Sequence, residues 1–463
     1  MSNLKTQKVS RRKFIQQSAA SAAAVSVGSN IVGNTAYGQK PLVFSFWPWG
    51  SEIIEANADT FRKQYSESLD LQPIPGDYPA VLETRLASKA NLDMFYAQRG
   101  QASRWYTAGW INPIDSMPGL SEIHSEMLPG VVEDSKAHDG KFLGLTYYNG
   151  GPFCLFRNEK LLEMGGFGGT KNVNDYPKTW DEVAKISREL KKQKICDEPL
   201  FMGWYAAWTG LPWTFTACCY SEGERLINDD FQATFSNSTP ILKVLTDWKQ
   251  WWDEGLVVKS VLTMQENTMI GQFGTGKHAF LPYLDVFHFV YGDKENSVIG
   301  NDINQNPVMP GATNDTTLVG HALLSMSTMP RSRDDELRIW NLMKMYGHKD
   351  ANGNYHTHKR WAMKANLPVP YASIYDDQEV KDAIMKWMHP TLGELEYQWQ
   401  FEGRKRAIAA KQLKAPWYME WETRMHDMVA NDLLLKGTMK PSEVVNECKK
   451  LWSDLYDKYA SLL

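Results

Sequence analysis

The residue types that break covalent bonds are all present in this chain, but not at the spacings such chemistry needs. It has no GxSxG or HExxH and no cysteine cluster at metal spacing. His356 and His358 form a lone pair in a polar stretch, where solvation rather than a metal is expected. Gly271-Gln272-Phe273-Gly274-Thr275-Gly276-Lys277-His278 imitates a phosphate-binding loop. The residue after the lysine should offer a hydroxyl to magnesium and is His278 instead, so the imitation is rejected. No cofactor and no metal are expected.

Binding chemistry is better represented. The chain holds 18 Trp, 20 Tyr and 18 Phe, many beside glycine or proline rather than in helical stripes. Aromatic faces stack on the C–H faces of pyranose rings and leave the hydroxyls free for polar partners. The plain alternative, for any one tryptophan, is that it fills a large core. The densest aromatic stretch is Gly203-Trp204-Tyr205-Ala206-Ala207-Trp208-Thr209-Gly210-Leu211-Pro212-Trp213.

These residues stand in a chain that reads as exported. Ser10-Arg11-Arg12-Lys13-Phe14-Ile15 matches a twin-arginine export signal, the Ala- and Ser-rich run 18–32 follows, and Ala36-Tyr37-Gly38 suits cleavage after Gly38. Residues 1–38 are therefore set aside as a signal peptide. Their removal takes five basic and no acidic residues, so the net charge moves from −4 to about −9. Nucleic acid is excluded as a partner by that balance. No apolar run in the remainder approaches the ~20 residues that cross a bilayer, which predicts a soluble periplasmic protein. What is left is too long for one ordinary core and predicts two lobes.

The elements that must position the aromatics begin at Pro41–Trp47, a short β-rich run ending in Pro48-Trp49-Gly50. Ser51–Tyr65 then reads as an amphipathic helix with Ile53, Ile54 and Phe61 on one face. Tyr78–Ala90 is a second helical stretch, and Leu92–Ala97 is an apolar strand with the polar tip Gln98-Arg99-Gly100. Alternation of strand and helix predicts an α/β fold with a parallel sheet. Ligands sit beyond the carboxyl ends of such strands, which puts Trp47, Trp49, Gln98 and Arg99 on the functional rim. Thr179 followed by Glu182 is a capping box at the start of a helix reaching Leu190.

Seven segments in register resemble the type 1 extracellular solute-binding proteins of ABC importers, whose sugar-binding members include the maltose-binding proteins. They are the first strand with its aromatic tip, Leu92-Asp93-Met94-Phe95, Ala108-Gly109-Trp110-Ile111-Asn112-Pro113-Ile114-Asp115 and Asp139-Gly140-Lys141-Phe142-Leu143-Gly144-Leu145-Thr146-Tyr147-Tyr148. Arg157–Leu162, Pro177-Lys178-Thr179-Trp180-Asp181-Glu182 and Trp252-Asp253-Glu254-Gly255-Leu256 complete the set. The resemblance also turns Gly271–His278 into the end of a helix and the start of a strand.

The resemblance implies a two-lobed periplasmic-binding-protein fold of type II, with a central cleft that closes by hinge motion. The expected crossings lie near 144–148, 277–281 and 320–325. They give a first lobe of 41–143 plus 277–325 and a second of 144–276 plus 326–463. The implied ligand residues are Trp47, Trp49, Gln98, Arg99, Tyr283 and Asp285 from the first lobe, and Tyr147, Tyr148, Trp204, Trp208 and Trp213 from the second. Aromatics would stack on rings, Asp285 would accept hydroxyl hydrogen bonds, and Gln98 and Arg99 would fix orientation. An arginine in the cleft would favour uronic acids or other anions, whereas a surface arginine bonded to backbone would carry no such meaning. His321 stands beside a crossing and could line the cleft or serve structure alone.

The function so implied is capture of a mono- or oligosaccharide by cleft closure, without chemistry, and delivery to ABC transporter permease subunits. The partners are that permease, the twin-arginine export machinery and the carbohydrate, and a monomer is expected. A periplasmic polysaccharide-active enzyme is the alternative, because 54 acidic residues always allow some carboxylate pair. The five cysteines, Cys154, Cys196, Cys218, Cys219 and Cys448, leave at least one unpaired. Adjacent Cys218 and Cys219 could form a strained vicinal disulfide or remain two buried thiols.

Overall fold

A computed structural model describes residues 40–148, 152–168, 176–205, 210–313, 317–319 and 322–463. The twin-arginine segment, Trp208 and His321 lie outside the described residues. Strand β1, Leu42–Phe46, is buried along its whole length, as five apolar or small residues in a row predict for a central strand. It lies between β2, Leu69–Pro73, and β3, Met94–Gln98, and is parallel to both. The helix Ser51–Tyr65, which packs on β2, buries Ile53, Ile54, Ala58 and Phe61, the face read from the sequence.

The other strands are β4, Ile111–Asn112; β5, Leu145–Tyr148; β6, Phe153–Asn158; β7, Phe280–Leu284; β8, Ile303–Gln305; β9, Thr317–Val319; β10, Ala322–Ser327; and β11, Ala407–Ala409. The first sheet runs β2-β1-β3-β10-β4, with β5 also paired to β10. It is mixed rather than parallel, because β10 enters antiparallel to β3, β4 and β5. The second sheet, β7-β6-β8, is antiparallel throughout. β9 and β11 form a separate parallel pair.

Strand pairing corrects the expected lobe boundaries in three places. β5 closes the first sheet, so the chain leaves that lobe after Tyr148 rather than before Gly144. β7 hydrogen-bonds to β6, with Phe153 opposite Leu284 and Arg157 opposite Phe280, so 280–284 belongs to the second sheet and not the first lobe. The C-terminal third is shared. Arg333–Gly347 packs on β5 and β10, and His356–Ala365 packs on Ser51–Tyr65, whereas Pro441–Tyr459 packs on Pro240–Asp253 of the second lobe.

The capping box forms as read: Thr179 Oγ1 accepts from the Glu182 amide at 3.2 Å, and Glu182 Oε2 accepts from the Thr179 amide at 3.2 Å. The helix it opens, Trp180–Lys192, seats Trp180 in the core. Among the described residues nine tryptophans are fully buried, so abundant tryptophan here is first a packing property. All five cysteines are free and buried. Cys218 and Cys219 sit within the helix Gly210–Ser221, where consecutive side chains diverge by about 100° and a vicinal bridge does not form.

Candidate functional site

A cleft of about 460 Å³ lies where the carboxyl ends of β1, β3, β5 and β7 converge. From the first sheet come Trp47 and Trp49 after β1, Gln98 closing β3, and Tyr147 and Tyr148 closing β5. The rings support one another. Trp47 packs on Tyr96 at 4.6 Å, Tyr96 stacks on Tyr147 at 4.3 Å and 12°, and Trp49 stacks on Trp361 at 5.1 Å and 16°. Trp47, Trp49 and Tyr148 are half-buried, so part of each ring remains for a solute, whereas Tyr147 is nearly enclosed.

Gly50 makes the Trp49 stack achievable. It adopts φ +72°, and a Cβ there would stand 2.1 Å from the Trp361 ring, so only glycine lets that ring seat beneath the loop. Tyr78 fixes the neighbouring wall by donating its hydroxyl to Tyr96 O at 2.9 Å.

The opposite wall comes from Trp213 in the helix Gly210–Ser221, Glu266 and Asn267 at the start of the helix Glu266–Phe273, and Leu284, Val286 and Phe287 at and after the end of β7. Tyr205 and Leu367 complete it. Glu266 is half-buried, and its Oε1 accepts from the Tyr205 hydroxyl at 3.5 Å and, more closely, from the Tyr283 hydroxyl. Loss of water around Glu266 raises its pKa from the ordinary carboxylate value, and the two phenol hydrogen bonds partly offset that rise.

Of the residues nominated from sequence, Trp47, Trp49, Gln98, Tyr147, Tyr148 and Trp213 line this cleft. Four others are placed elsewhere. Arg99 starts the helix Arg99–Thr107 and turns back into its lobe. It is fully buried, with Nε 3.5 Å from Asp134 Oδ1 and a hydrogen bond of 2.9 Å to Ser103 Oγ. Its carboxylate partner is the protein's own, so the argument from Arg99 to a uronic acid lapses.

Trp204 has no exposed surface and packs at 4.5 Å on Trp248. Tyr283 sits behind Glu266, where it holds that carboxylate without lining the cleft. Asp285 is enclosed and pairs with Arg404 Nε at 2.8 Å, while Arg404 also donates to Tyr375 Oη at 3.1 Å and to Asn366 O at 3.1 Å. Burial pushes Asp285 up to about 6 even against that arginine.

Sequence reasoning missed Glu266 and the pair Leu284 and Val286. Nothing in the Gln265-Glu266-Asn267 segment announces a cleft. Leu284 could have been found from strand alternation, since it lies on the other face from Tyr283, whereas Val286 belongs to the short 3-10 helix Asp285–Phe287 that follows the strand. The histidine pair also sits differently from the expectation. It opens the helix His356–Ala365, with His358 fully buried between Tyr355 and Tyr371. Among the described residues no group of three or more His, Cys, Asp or Glu is placed to hold a metal, and no helix is long and apolar enough to cross a membrane.

Two sheets with a ligand-sized aromatic cleft at their strand ends define a two-lobed α/β binding protein. Residues 48–323 match the model of the bacterial extracellular solute-binding proteins, and the chain belongs to that family. Its fold is similar to that of maltose-bound MalE3 of T. maritima, at 15% identity and TM-score 0.72, covering 90% of this chain and 99% of that one. A Thermotoga lettingae TMO ABC transporter solute-binding protein bound with α-D-tagatose is similar at 18% identity and TM-score 0.71, over 90% of this chain and 99% of that one. Among curated relatives, the sn-glycerol-3-phosphate-binding periplasmic protein UgpB of Rhizobium meliloti (strain 1021) is 26% identical over 180 residues. That match spans 35% of this chain and 40% of the relative. Family and fold are those of binding proteins.

Proposed function

We propose that this protein is the solute-capturing component of an ABC importer, that its solute is a carbohydrate or polyol, and that it acts in the periplasm after export on its twin-arginine signal. The cleft carries the reading: half-buried tryptophan and tyrosine rings line a volume of about 460 Å³, within the range of small-molecule sites. One lobe is built on the β2-β1-β3-β10-β4 sheet and the other on the β7-β6-β8 sheet, and they close over the solute as a hinge. The described lining residues suit binding, and the solute leaves unchanged, passed by a monomeric carrier to separate permease subunits. The sugar-bound neighbours of like fold support this reading.

A thermal-shift screen of the purified protein against mono- and oligosaccharides, polyols, uronates and sugar phosphates tests it. A ligand at 100 times its dissociation constant stabilises by about 2.7 kcal/mol. A clear upward shift with a carbohydrate or polyol is expected, with the sugar recovered intact. No shift across the panel, or turnover of any member, would contradict the reading.

A further inference from the structure

The charge of the cleft is one-sided. Among the described residues, Glu266 is the single acid that lines it, and no lysine, arginine or histidine does. Two arginines tied to nominated residues are already committed: Arg99, nominated itself, to Asp134, and Arg404 to Asp285. Glu266 Oε1 is occupied by the hydroxyls of Tyr283 and Tyr205, whereas Oε2 has no hydrogen-bond partner among the described residues. Because Glu266 is the first residue of the helix Glu266–Phe273, the positive end of the helix favours its ionised form.

The surrounding rings add to the same field. Trp47, Trp49, Tyr148, Trp213 and Phe287 line the cleft with Glu266. Aromatic faces carry partial negative charge, which attracts a cation and repels an anion. Closing the lobes removes water and strengthens every charge interaction inside. An anionic solute would then face a like charge, and no cationic side chain among the described wall residues would offset its desolvation. A solute bearing an ammonium group would supply the counter-ion that Oε2 lacks.

We propose that Glu266 is the residue that reads the charge of the solute: the cleft rejects sugar phosphates and uronates, and holds an amine-bearing sugar more tightly than its hydroxyl counterpart. Tyr283 and Tyr205 act as positioning residues that aim the carboxylate. This rests on the carbohydrate reading of the same cleft, and it separates this chain from the relative that binds sn-glycerol-3-phosphate.

The test is calorimetric titration of the purified protein at pH 7 with glucose, galactose and mannose and their β-1,4- and α-1,4-linked disaccharides. Each is offered in hydroxyl, free-amine, N-acetyl, carboxylate and phosphate forms. In whichever skeleton binds, the amine form should bind about tenfold tighter than the hydroxyl form, and the anionic forms about a hundredfold weaker. The N-acetyl form, bulky but uncharged, should lack the amine's advantage. In Glu266→Gln the ratio between amine and hydroxyl forms should fall to near one. Anionic forms that bind as well as the neutral sugar, an amine form that gains nothing, or an unchanged ratio in Glu266→Gln would each overturn the proposal while leaving a carbohydrate carrier in place. Failure of every member to bind would overturn both.

Discussion

The two rims of the cleft are built from strand ends of similar composition and use them in opposite ways. At the first rim the residues at the ends of β1, β3 and β5 reach the cleft: Trp47, Gln98 and Tyr148 all line it. At the second rim the conspicuous residues Tyr283 and Asp285 turn away, to Glu266 and to Arg404, while the plain Leu284 and Val286 face the cleft. Side chains alternate along extended chain, which sets Tyr283 and Leu284 on opposite faces of β7, and the 3-10 helix Asp285–Phe287 then separates Asp285 from Val286. Residue type suggests that a strand end matters, and the local backbone decides what each residue does there.

If the Asp285–Arg404 pair behind the second rim is structural, breaking it should cost stability before affinity. Asp285→Ala leaves Arg404 buried without its carboxylate, and a loss of about 3–5 kcal/mol in chemical denaturation is expected. Affinity for the solute should stay within about threefold, and a large affinity loss at unchanged stability would break the comparison.

The helix Gly393–Arg406, which supplies Arg404, also buries Glu396, whose carboxyl is pushed up from 4.5 to about 7, mainly by loss of water. A carboxyl raised on folding favours the folded state while protonated. Its contribution is therefore full below about 4.5 and is lost as pH rises through about 7, on the order of 3 kcal/mol in all. Glu396→Gln should flatten the fall in stability over that window, read from denaturation midpoints at successive pH values.

At the first rim the effect should be on binding. Trp49→Ala removes a stacking face and should weaken the solute roughly a hundredfold, about 2–3 kcal/mol, in a fluorescence or calorimetric titration. A smallest and sharper effect is expected from Tyr283→Phe. It never touches solute but frees Glu266, and a loss of affinity of about fivefold, near 1 kcal/mol, is expected with little change in stability.

The sequence made the first rim legible because local signals there agree. Apolar Leu42–Phe46 next to an amphipathic 51–65 fixes a strand, a loop and a helix, and the loop can only deliver Trp47 and Trp49 to the strand end. Gln98 and Arg99 show where that reasoning stops. They are neighbours of similar polarity, yet one ends a strand at the cleft and the other starts a helix whose first turn faces Asp134. The second rim depended on long-range pairing, β7 with β6, where Phe153 stands opposite Leu284 and Arg157 opposite Phe280, which no local pattern reports. Likewise the 203–213 stretch does not show that Trp204 meets Trp248 in the core while Trp213 reaches the cleft.

The central claim is that a sugar is held between the first rim's tryptophans and the Trp213 and Glu266 wall. A crystal structure of the protein with the carbohydrate that stabilises it most tests this directly. The account predicts a sugar ring against Trp47 or Trp49, with a polar group of the sugar within hydrogen-bond distance of Glu266 Oε2. A ligand bound outside the cleft, or bound within it and contacting none of these residues, would contradict it.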